Sequence, residues 1–224
     1  MSAPISIVIP TLNAERDLPA TLQSLMEGLQ QGLIRELIVS DAGSDDATLE
    51  MADEAGARIV TGPASRGGQL QRGCAEASGE WLLILHADTE LQPSWTAVVA
   101  EHLNSDRPAS FRLRFRANGL GPLWVAGWAN LRSRLFGLPY GDQGLLVRQE
   151  AYLSAGGYPD QPLMEDVALI RALPRAVLLN ADAVTSAERY IRQGWFRRGA
   201  RNLWTLMRYF LGADPKKLAQ AYRG

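Results

Sequence analysis

The sequence predicts an α/β protein with a mainly parallel central sheet, an antiparallel addition and a C-terminal helix. Between residues 5 and 103, short apolar runs alternate with segments of helical periodicity, which is typical of right-handed βαβ units. The run at residues 81–85 is apolar without a break, as in a strand buried on both faces of a parallel sheet. Residues 110–115 instead alternate apolar side chains with arginines, which favours a half-exposed, antiparallel strand.

Four strands, each followed by a helix, are predicted in the first half of the chain. Each strand is a short run rich in Ile, Val or Leu, whereas the helices show apolar residues at helical spacing or begin beside Gly or Pro. The predicted strands are 5–9, 36–40, 57–60 and 81–85, and the predicted helices are 15–29, 45–55, 69–77 and 93–103.

The second half of the chain is less regular. It contains a predicted helix at 123–135, a strand at 144–148, a helix at 165–173 and a long helix at 193–211. We expect one domain over residues 1–190 and an amphipathic helical segment over residues 191–224 that packs on this domain or extends it. The last helix combines an apolar stripe with arginines. This pattern fits an interfacial helix on a membrane, but it equally fits a helix packed on its own domain or on a second subunit of a homo-oligomer.

Composition and charge limit the classes of function. The chain has 224 residues and a net charge of −1, so no overall field favours nucleic acid as a partner. Its one cysteine, Cys74, excludes an internal disulfide and a multi-cysteine zinc site. The longest mostly apolar stretch, residues 120–131, is shorter than the ~20 residues that a spanning helix needs. We therefore expect a cytoplasmic protein, with peripheral contact at the inner membrane face as an open alternative.

Charge is also distributed unevenly along the chain. Residues 36–54 include seven acidic residues and no Lys or Arg. Residues 189–217 include eight basic residues and one acidic residue, Asp214. The asymmetry predicts two surfaces with different partners.

Polar side chains follow the first strand, and ligands of open α/β sheets bind outside the carboxyl ends of the strands. The turn Pro10-Thr11-Leu12-Asn13-Ala14-Glu15 offers a hydroxyl, an amide and a carboxylate to a base or a ribose. It contains neither Gly-x-Gly-x-x-Gly nor Gly-Lys-Ser/Thr, which counts against nicotinamide enzymes and P-loop kinases. Asn13 is alternatively a cap of the following helix.

The second and third strands are followed by candidate binding residues of opposite charge. Asp41 comes before the next helix, so capping does not account for it, whereas Ser44 or Asp45 is a candidate N-cap. The Asp41 carboxylate is suited to accept hydrogen bonds from a base N–H or a ribose hydroxyl. Arg66 and Gly67 begin a loop-to-helix transition, where a guanidinium, a close backbone approach and a helix N-terminus favour a phosphate.

His86, Ala87 and Asp88 follow the fourth strand. Asp88 is the best metal candidate, because Mg²⁺ and Mn²⁺ commonly bind one or two carboxylates together with substrate phosphates. His86 is a nitrogen ligand, a donor to ribose or a structural residue. The Asp-x-Asp-x-Thr of haloacid-dehalogenase phosphatases is excluded, because His86 occupies the position of its nucleophile.

Two further segments offer carboxylates. Glu165-Asp166 begins a predicted helix, where acidic residues interact favourably with the helix dipole, but Asp166 is also suited to act as a general base on an acceptor hydroxyl. Gly141-Asp142-Gln143-Gly144 is a glycine-flanked polar turn that is a candidate for lining the same cleft.

In their order along the chain, these segments resemble the inverting family 2 glycosyltransferases, which have a GT-A fold. Pro10-Thr11-Leu12-Asn13 is similar to the opening signature of that family, and residues 40–48 are similar to its second-strand acidic motif. His86-Ala87-Asp88 lies where the family has Asp-x-Asp, and Glu165-Asp166 lies where it has its base motif. The resemblance covers residues 4–170. Together with the turn at 141–144 and the short tail, it extends to a small soluble bacterial subfamily, some members of which are associated with arsenosugar biosynthesis.

The resemblance implies transfer of a sugar from a nucleoside-diphosphate sugar, most often a UDP-sugar, to a hydroxyl acceptor. It implies Asp88 as the ligand of Mn²⁺ or Mg²⁺, and Asp166 as the catalytic base with Glu165 beside it. It also implies that Thr11, Asn13 and Asp41 hold the nucleoside. In all, the predicted substrate-binding residues are Pro10, Thr11, Asn13, Glu15, Asp41, Arg66, Gly67, His86, Ala87, Asp142 and Gln143.

The chain departs from the family pattern at two positions. Ala14 separates Asn13 from Glu15, which leaves the role of Glu15 open, and His86 replaces the first Asp of Asp-x-Asp. The Gln-x-x-Arg-Trp of processive synthases is absent, so we expect transfer of a single sugar. The alternatives are a sugar nucleotidyltransferase and a non-catalytic nucleotide or carbohydrate binder. The first of these usually has a Gly-rich basic loop after its first strand, which residues 11–15 do not provide.

Overall fold

The computed structural model describes residues 3–223, and the apolar runs of the sequence form an eight-stranded sheet there. The sheet order is β3-β2-β1-β4-β7-β6-β8-β5. The strands are β1 (Ile5–Thr11), β2 (Ile34–Asp41), β3 (Arg58–Thr61), β4 (Trp81–Ile84), β5 (Thr89–Leu91), β6 (Ala109–Phe115), β7 (Leu145–Arg148) and β8 (Val177–Thr185).

The predicted division of the sheet into parallel and antiparallel parts is confirmed. β1, β2, β3 and β4 are parallel to one another, whereas β7 runs antiparallel to β4 and β5 runs antiparallel to β8. One detail of the prediction is wrong. β6 pairs antiparallel with β7 only at Ala109, and it lies parallel to β8 along most of its length.

Ten helices lie among the described residues, and several begin at residues that the sequence did not predict. They are α1 (Leu18–Gln30), α2 (Thr48–Glu54), α3 (Arg66–Ala75), α4 (Trp95–His102), α5 (Leu120–Phe136), α6 (Gln149–Ser154), α7 (Glu165–Ala172), α8 (Glu188–Gln193), α9 (Trp195–Phe210) and α10 (Pro215–Arg223). α2 begins at Thr48, later than predicted, and its N-cap is Ala47, so the predicted caps Ser44 and Asp45 are wrong. Asp46, just before the N-cap, accepts from the Thr48 N–H at 3.0 Å through its Oδ1.

Both faces of the parallel strands are covered, because successive residues of β1 and β4 point to opposite sides. On one face, Ile7 and Leu83 pack in a cluster with residues of α1 and α4. On the other face, Val8 and Leu82 pack in a cluster with residues of α3, α6 and α7. The uninterrupted apolar character of the run at residues 81–85 follows from this double burial.

The C-terminal part folds as three helices rather than the single predicted one, and the predicted domain boundary after residue 190 lies inside α8. Leu206 of α9 and Leu218 of α10 share a buried cluster with Leu163 and Val167, which flank the start of α7. Among residues 3–223, no helix combines the length and apolarity that crossing a membrane requires.

Gly67, in the first turn of α3, allows a close approach between two distant segments. A Cβ atom there would lie 1.9 Å from the carbonyl oxygen of Pro159. The Gly67 N–H donates to the carbonyl of Gln161 at 3.2 Å. Residues 159–161 thus occupy the space beside Gly67 and its N–H donor, and contact between Gly67 and a phosphate stays a prediction.

We predict that Gly67→Ala lowers the free energy of unfolding by about 1–3 kcal/mol, because the backbone of residues 159–161 must move away. Gly127→Ala is the matched control: Gly127 lies in α5 with no atom within 4 Å of an added Cβ. That change is expected to stabilise by about 0.5–1 kcal/mol through helix propensity. Urea denaturation measures both, and equal effects of the two substitutions would contradict the packing described here.

Candidate active site

Two clefts open side by side where β1 and β4 end, as expected for an open α/β sheet. The central cleft is lined by residues that include Gly141, Asp142 and Asp166. The β1 cleft is lined by residues that include Pro10, Thr11, Asn13, Ala87 and Glu165. Four polar side chains line both clefts: Arg66, His86, Asp88 and Arg189.

The turns after β1 and β2 are joined to each other by hydrogen bonds. Asn13 has a left-handed backbone with φ of 50°. Its N–H donates to the Ser44 hydroxyl at 2.8 Å, and its Oδ1 accepts from the Asp45 N–H at 3.0 Å. Asn13 therefore does not cap α1. Glu15 accepts from the Ala47 N–H at 3.0 Å and lines neither cleft, so its carboxylate serves the turn.

Asp41 ends β2 and is fully buried. Its carboxylate accepts from the Thr11 hydroxyl at 2.8 Å, from the Gly43 and Ser44 N–H groups, and from the Ser44 hydroxyl. Burial tends to raise the pKa of Asp41, but these hydrogen bonds outweigh it and lower the pKa. Asp41 thus orders the loop behind Thr11 and lines neither cleft. Direct contact between Asp41 and a nucleoside stays a prediction.

Arg66 and Glu165 form an ion pair that joins the first turns of α3 and α7. Arg66 Nε lies 2.9 Å from Glu165 Oε1, and the Glu165 side chain is only 2% exposed. Burial raises the pKa of Glu165 to about 7 against the opposing charge of Arg66. The structure favours a positioning role for Glu165 over a catalytic one, since its carboxylate faces Arg66.

Asp88 and His86 lie at the junction of the two clefts. Asp88 Oδ1 is 3.4 Å from the hydroxyls of both Thr89 and Thr185, and no Lys or Arg pairs with Asp88 in the described part of the chain. His86 packs against Gly141, where an added Cβ would lie 2.6 Å from Nε2. Burial lowers the pKa of His86 despite the nearby charge of Asp88.

Asp166 lies in the first turn of α7 and lines the central cleft with Asp88. Its Oδ2 accepts from the Gly141 N–H at 2.9 Å, and its Oδ1 accepts from the Val167 N–H at 2.8 Å. Met164, just before α7, has φ of 63°, a left-handed conformation that costs energy for a residue with a Cβ. The turn into α7 thus directs the Asp166 carboxylate toward the 141–144 turn.

The two polar side chains of the 141–144 turn, Asp142 and Gln143, lie in different surroundings. Asp142 lines the central cleft, and its Oδ1 is buried without a hydrogen-bond partner among residues 3–223. Gln143 is fully buried: its amide donates to the Phe111 carbonyl at 3.1 Å and accepts from the Ser133 hydroxyl at 2.7 Å. The Gln143 side chain is thus sealed within the fold, which favours a structural role, and its substrate contact stays a prediction.

The sequence did not reveal that the C-terminal helices complete the central cleft. Tyr190, Arg198, Asn202 and Tyr222 line it together with Arg189. The buried Arg198 donates to the Tyr222 hydroxyl at 3.0 Å, and this hydroxyl donates to Asn202 at 2.7 Å. The run of basic residues after position 188 was the available signal, but it did not distinguish a cleft wall from an outer surface.

Comparison with known proteins decides the family. The protein-family model described as "Glycosyl transferase family 2" matches residues 6–144, which is more than half of the chain. This chain belongs to glycosyl transferase family 2.

Relatives and solved structures agree with this family 2 membership. A PGL/p-HBAD biosynthesis glycosyltransferase of Mycobacterium bovis is 37% identical over 119 residues, which cover 47% of this chain and 46% of that protein. This chain thus spans about half the length of the curated relative that it matches.

Two solved structures show the same fold. Glucosyl-3-phosphoglycerate synthase of Mycobacterium tuberculosis, crystallised with Mn²⁺, uridine diphosphate and phosphoglyceric acid, has a TM-score of 0.54 and 25% identity, covering 78% of this chain and 67% of that one. TarS 1–349 of S. aureus has a TM-score of 0.62 and 15% identity, covering 98% of this chain and 70% of that one. The predicted GT-A fold is confirmed.

The Asp142 carboxylate in the central cleft has a higher pKa than an exposed aspartate. Burial, together with the charges of Asp166 and Asp88, raises the pKa of Asp142 to about 6 against the opposing charge of Arg132. The folded protein therefore binds the Asp142 proton more tightly than the unfolded chain does, and stability is lost as pH rises from about 4 to about 6.

We predict that Asp142→Asn stabilises the protein at pH 7.5 by about 2–3 kcal/mol and by much less at pH 4.5. The substitution removes the cost of holding an ionised carboxylate beside Asp166 and Asp88. Urea denaturation at the two pH values, in EDTA, measures the difference. An equal effect at both values would show that Asp142 titrates like an exposed aspartate.

Proposed function

We propose that this protein transfers a single sugar from a nucleoside-diphosphate sugar, with a uridine donor expected, to a hydroxyl acceptor with inversion at the anomeric carbon. One observation supports this most strongly: Asp88 and Asp166, 78 positions apart in the sequence, line one cleft at the carboxyl end of the sheet. A cleft with a metal-binding carboxylate and a second carboxylate facing the substrate provides the two groups that a one-step displacement needs.

The β1 cleft is the proposed nucleoside site. It offers the Thr11 and Asn13 turn beside Asp88, so a nucleoside lying over Pro10 and Thr11 would extend its diphosphate toward Asp88. Gln69 fixes this edge by donating to the carbonyls of Thr11 at 2.7 Å and Ser40 at 3.2 Å. Asp41 supports the same turn from below through its bond to Thr11.

The residues at Asp88 fit a hard divalent cation that the substrate helps to bind. No group of three or more His, Cys, Asp or Glu side chains within residues 3–223 could hold a metal on its own. Mg²⁺ and Mn²⁺ are commonly held by one or two carboxylates with substrate phosphates and water. Asp88, half-buried and without a cationic partner in the described chain, would supply that carboxylate. When bound, the ion would neutralise charge on the leaving diphosphate.

Two arginine side chains are also placed to bind the negative charge of the diphosphate. Arg66 and Arg189 both line the two clefts, and Arg66 is already paired with Glu165. Arg189 is exposed and has no ion-pair partner among residues 3–223. Arg189 is therefore placed to bind a diphosphate, which carries more negative charge than Arg66 alone can balance.

Asp166 is the proposed base. Two backbone N–H groups hold its carboxylate, one on each oxygen, which fixes the orientation and leaves acceptor capacity on both oxygens. The acceptor hydroxyl would donate its proton to Asp166 as its oxygen attacks the anomeric carbon. Asp142 faces the same space and is suited to hydrogen-bond the sugar or the acceptor.

Two alternatives from the sequence are distinguishable by experiment. A sugar nucleotidyltransferase would release pyrophosphate from a sugar phosphate and a nucleoside triphosphate, whereas a non-catalytic binder would bind the nucleotide without consuming it. The association with arsenosugar biosynthesis stays a prediction.

We predict that Asp166→Asn lowers turnover of the nucleotide sugar by at least about 100-fold, because a general base typically contributes 10²–10⁴-fold. Affinity for the diphosphate donor in Mn²⁺ should change less than about threefold. For Asp88→Asn we expect the opposite: the loss of donor affinity in Mn²⁺ should be the larger of the two effects. Calorimetry with UDP and coupled detection of UDP release measure the two properties.

Full turnover by the Asp166→Asn variant would remove the base assignment. UDP affinity that is unaffected by EDTA, in the wild type and in Asp88→Asn alike, would remove the metal assignment. Neither result depends on knowing the natural acceptor, since hydrolysis of the donor also reports turnover.

We predict that Arg189→Gln weakens UDP binding by about 10-fold or more, as expected for loss of a charge-assisted contact to phosphate. Arg192→Gln is the matched control, because Arg192 belongs to the same helix, is exposed and lines neither cleft. Equal losses from the two substitutions would indicate a general electrostatic effect instead of a contact by Arg189.

A further inference from the structure

The outer surfaces of α5 and α9 form one exposed apolar area, called here the α5–α9 face. The two helices meet where the rings of Trp124 and Phe196 lie 5.3 Å apart. Among the residues that form it are six that are 44–70% exposed: Leu123, Trp124 and Trp128 on α5, and Phe196, Trp204 and Met207 on α9.

A helix on the surface of a soluble monomer normally turns a polar side to water. α5 does not, because Val125, Ala126 and Ala129 are buried on its inner side while its outer side is also apolar. No charged residue occurs between Leu120 and Leu131. An exposed apolar area of this kind indicates an interaction surface.

The charges beside the face indicate the chemistry of its partner. Arg197, Arg201 and Arg208 follow one another at steps of four and seven along α9, so they form a stripe that borders its apolar side. In a two-fold dimer formed through this face, the arginine stripe of one copy would lie close to that of the other. The repulsion between these like charges disfavours a second copy as the partner.

We propose that the α5–α9 face docks on the surface of an anionic phospholipid bilayer. Its tryptophans and leucines would enter the headgroup region, and the arginine border would contact lipid phosphates, as in helices that lie in the plane of a membrane. This inference goes beyond the proposed glycosyl transfer and does not rest on it.

A small cavity between the two helices lies next to the central cleft. Trp128 and Leu203 are among the residues that line it. It shares Asp142, Tyr190 and Asn202 with the lining of the central cleft. Docking through the α5–α9 face would therefore bring the wall of the cleft that α9 forms close to the bilayer surface.

The test is flotation of the full chain with vesicles at low salt. The wild type should float with vesicles of phosphatidylcholine containing about 30% phosphatidylglycerol and much less with phosphatidylcholine alone. Binding should fall as salt rises, because the arginine contribution is screened. Arg197→Gln with Arg208→Gln should weaken binding to anionic vesicles by about 30-fold, because each basic residue near the surface contributes about fivefold.

The apolar contribution has its own pair of variants. Leu123→Glu with Trp204→Glu should lose flotation by at least about 10-fold, since both side chains are more than half exposed and line neither cleft. Leu29→Glu with Leu153→Glu is the matched control, because it adds the same charges at exposed leucines on α1 and α6. This control should float like the wild type, and all variants should keep the wild-type melting temperature and UDP affinity.

Three results would overturn the proposal. The first is that the wild type does not float with anionic vesicles, and the second is that the control pair loses as much binding as the face pair. The third is that light scattering at micromolar concentration without lipid shows a dimer, and that Leu123→Glu with Trp204→Glu dissociates it. This third result would assign the face to a second copy. None of these results bears on whether the protein consumes a nucleotide sugar.

Discussion

The ion pair between Arg66 and Glu165 is the contact on which the arrangement of the cleft depends. It joins the beginning of α3, which belongs to the parallel half of the sheet, to the beginning of α7, which lies between β7 and β8 in the other half. Asp166 is the next residue along the chain, so the pair sets its distance from the groups that follow β4. Glu165 is buried, and a buried carboxylate that loses its partner is costly to keep charged.

The charged side chains of the central cleft include three carboxylates that lie close together. Asp88, Asp142 and Asp166 line one space, so their like charges repel one another. Burial, and after it the charges of Asp166 and Asp88, raises the pKa of Asp142. Arg66 and Arg189 provide positive charge on the β1 side. A cation at Asp88 would relieve the repulsion, and a diphosphate would satisfy the arginines. The arrangement therefore fits a pair of ligands of opposite charge better than either ligand alone.

The sequence predicted the parts of the structure that repeat a strong local pattern. The four parallel strands were found because each contains a short run rich in Ile, Val or Leu, and the run at residues 81–85 is unbroken. β8 was missed because its buried positions include Ala181 and Ala183, small residues that give a weak alternation. Function was harder to infer for residues whose partners are distant in sequence. Gln143 bonds to Phe111 and Ser133, and nothing in a short motif distinguishes such a buried amide from one that faces a ligand.

A double-mutant cycle on Arg66→Gln and Glu165→Gln tests most directly whether this pair holds the cleft together, with UDP affinity in Mn²⁺ and the free energy of unfolding as the two measured quantities. If it does, each single substitution weakens both quantities, and the double variant is no worse than the more damaging single one, with a coupling of about 1–3 kcal/mol. Additive losses, or UDP affinity unchanged when Glu165 alone is replaced, would contradict the dependence of the active site on this contact.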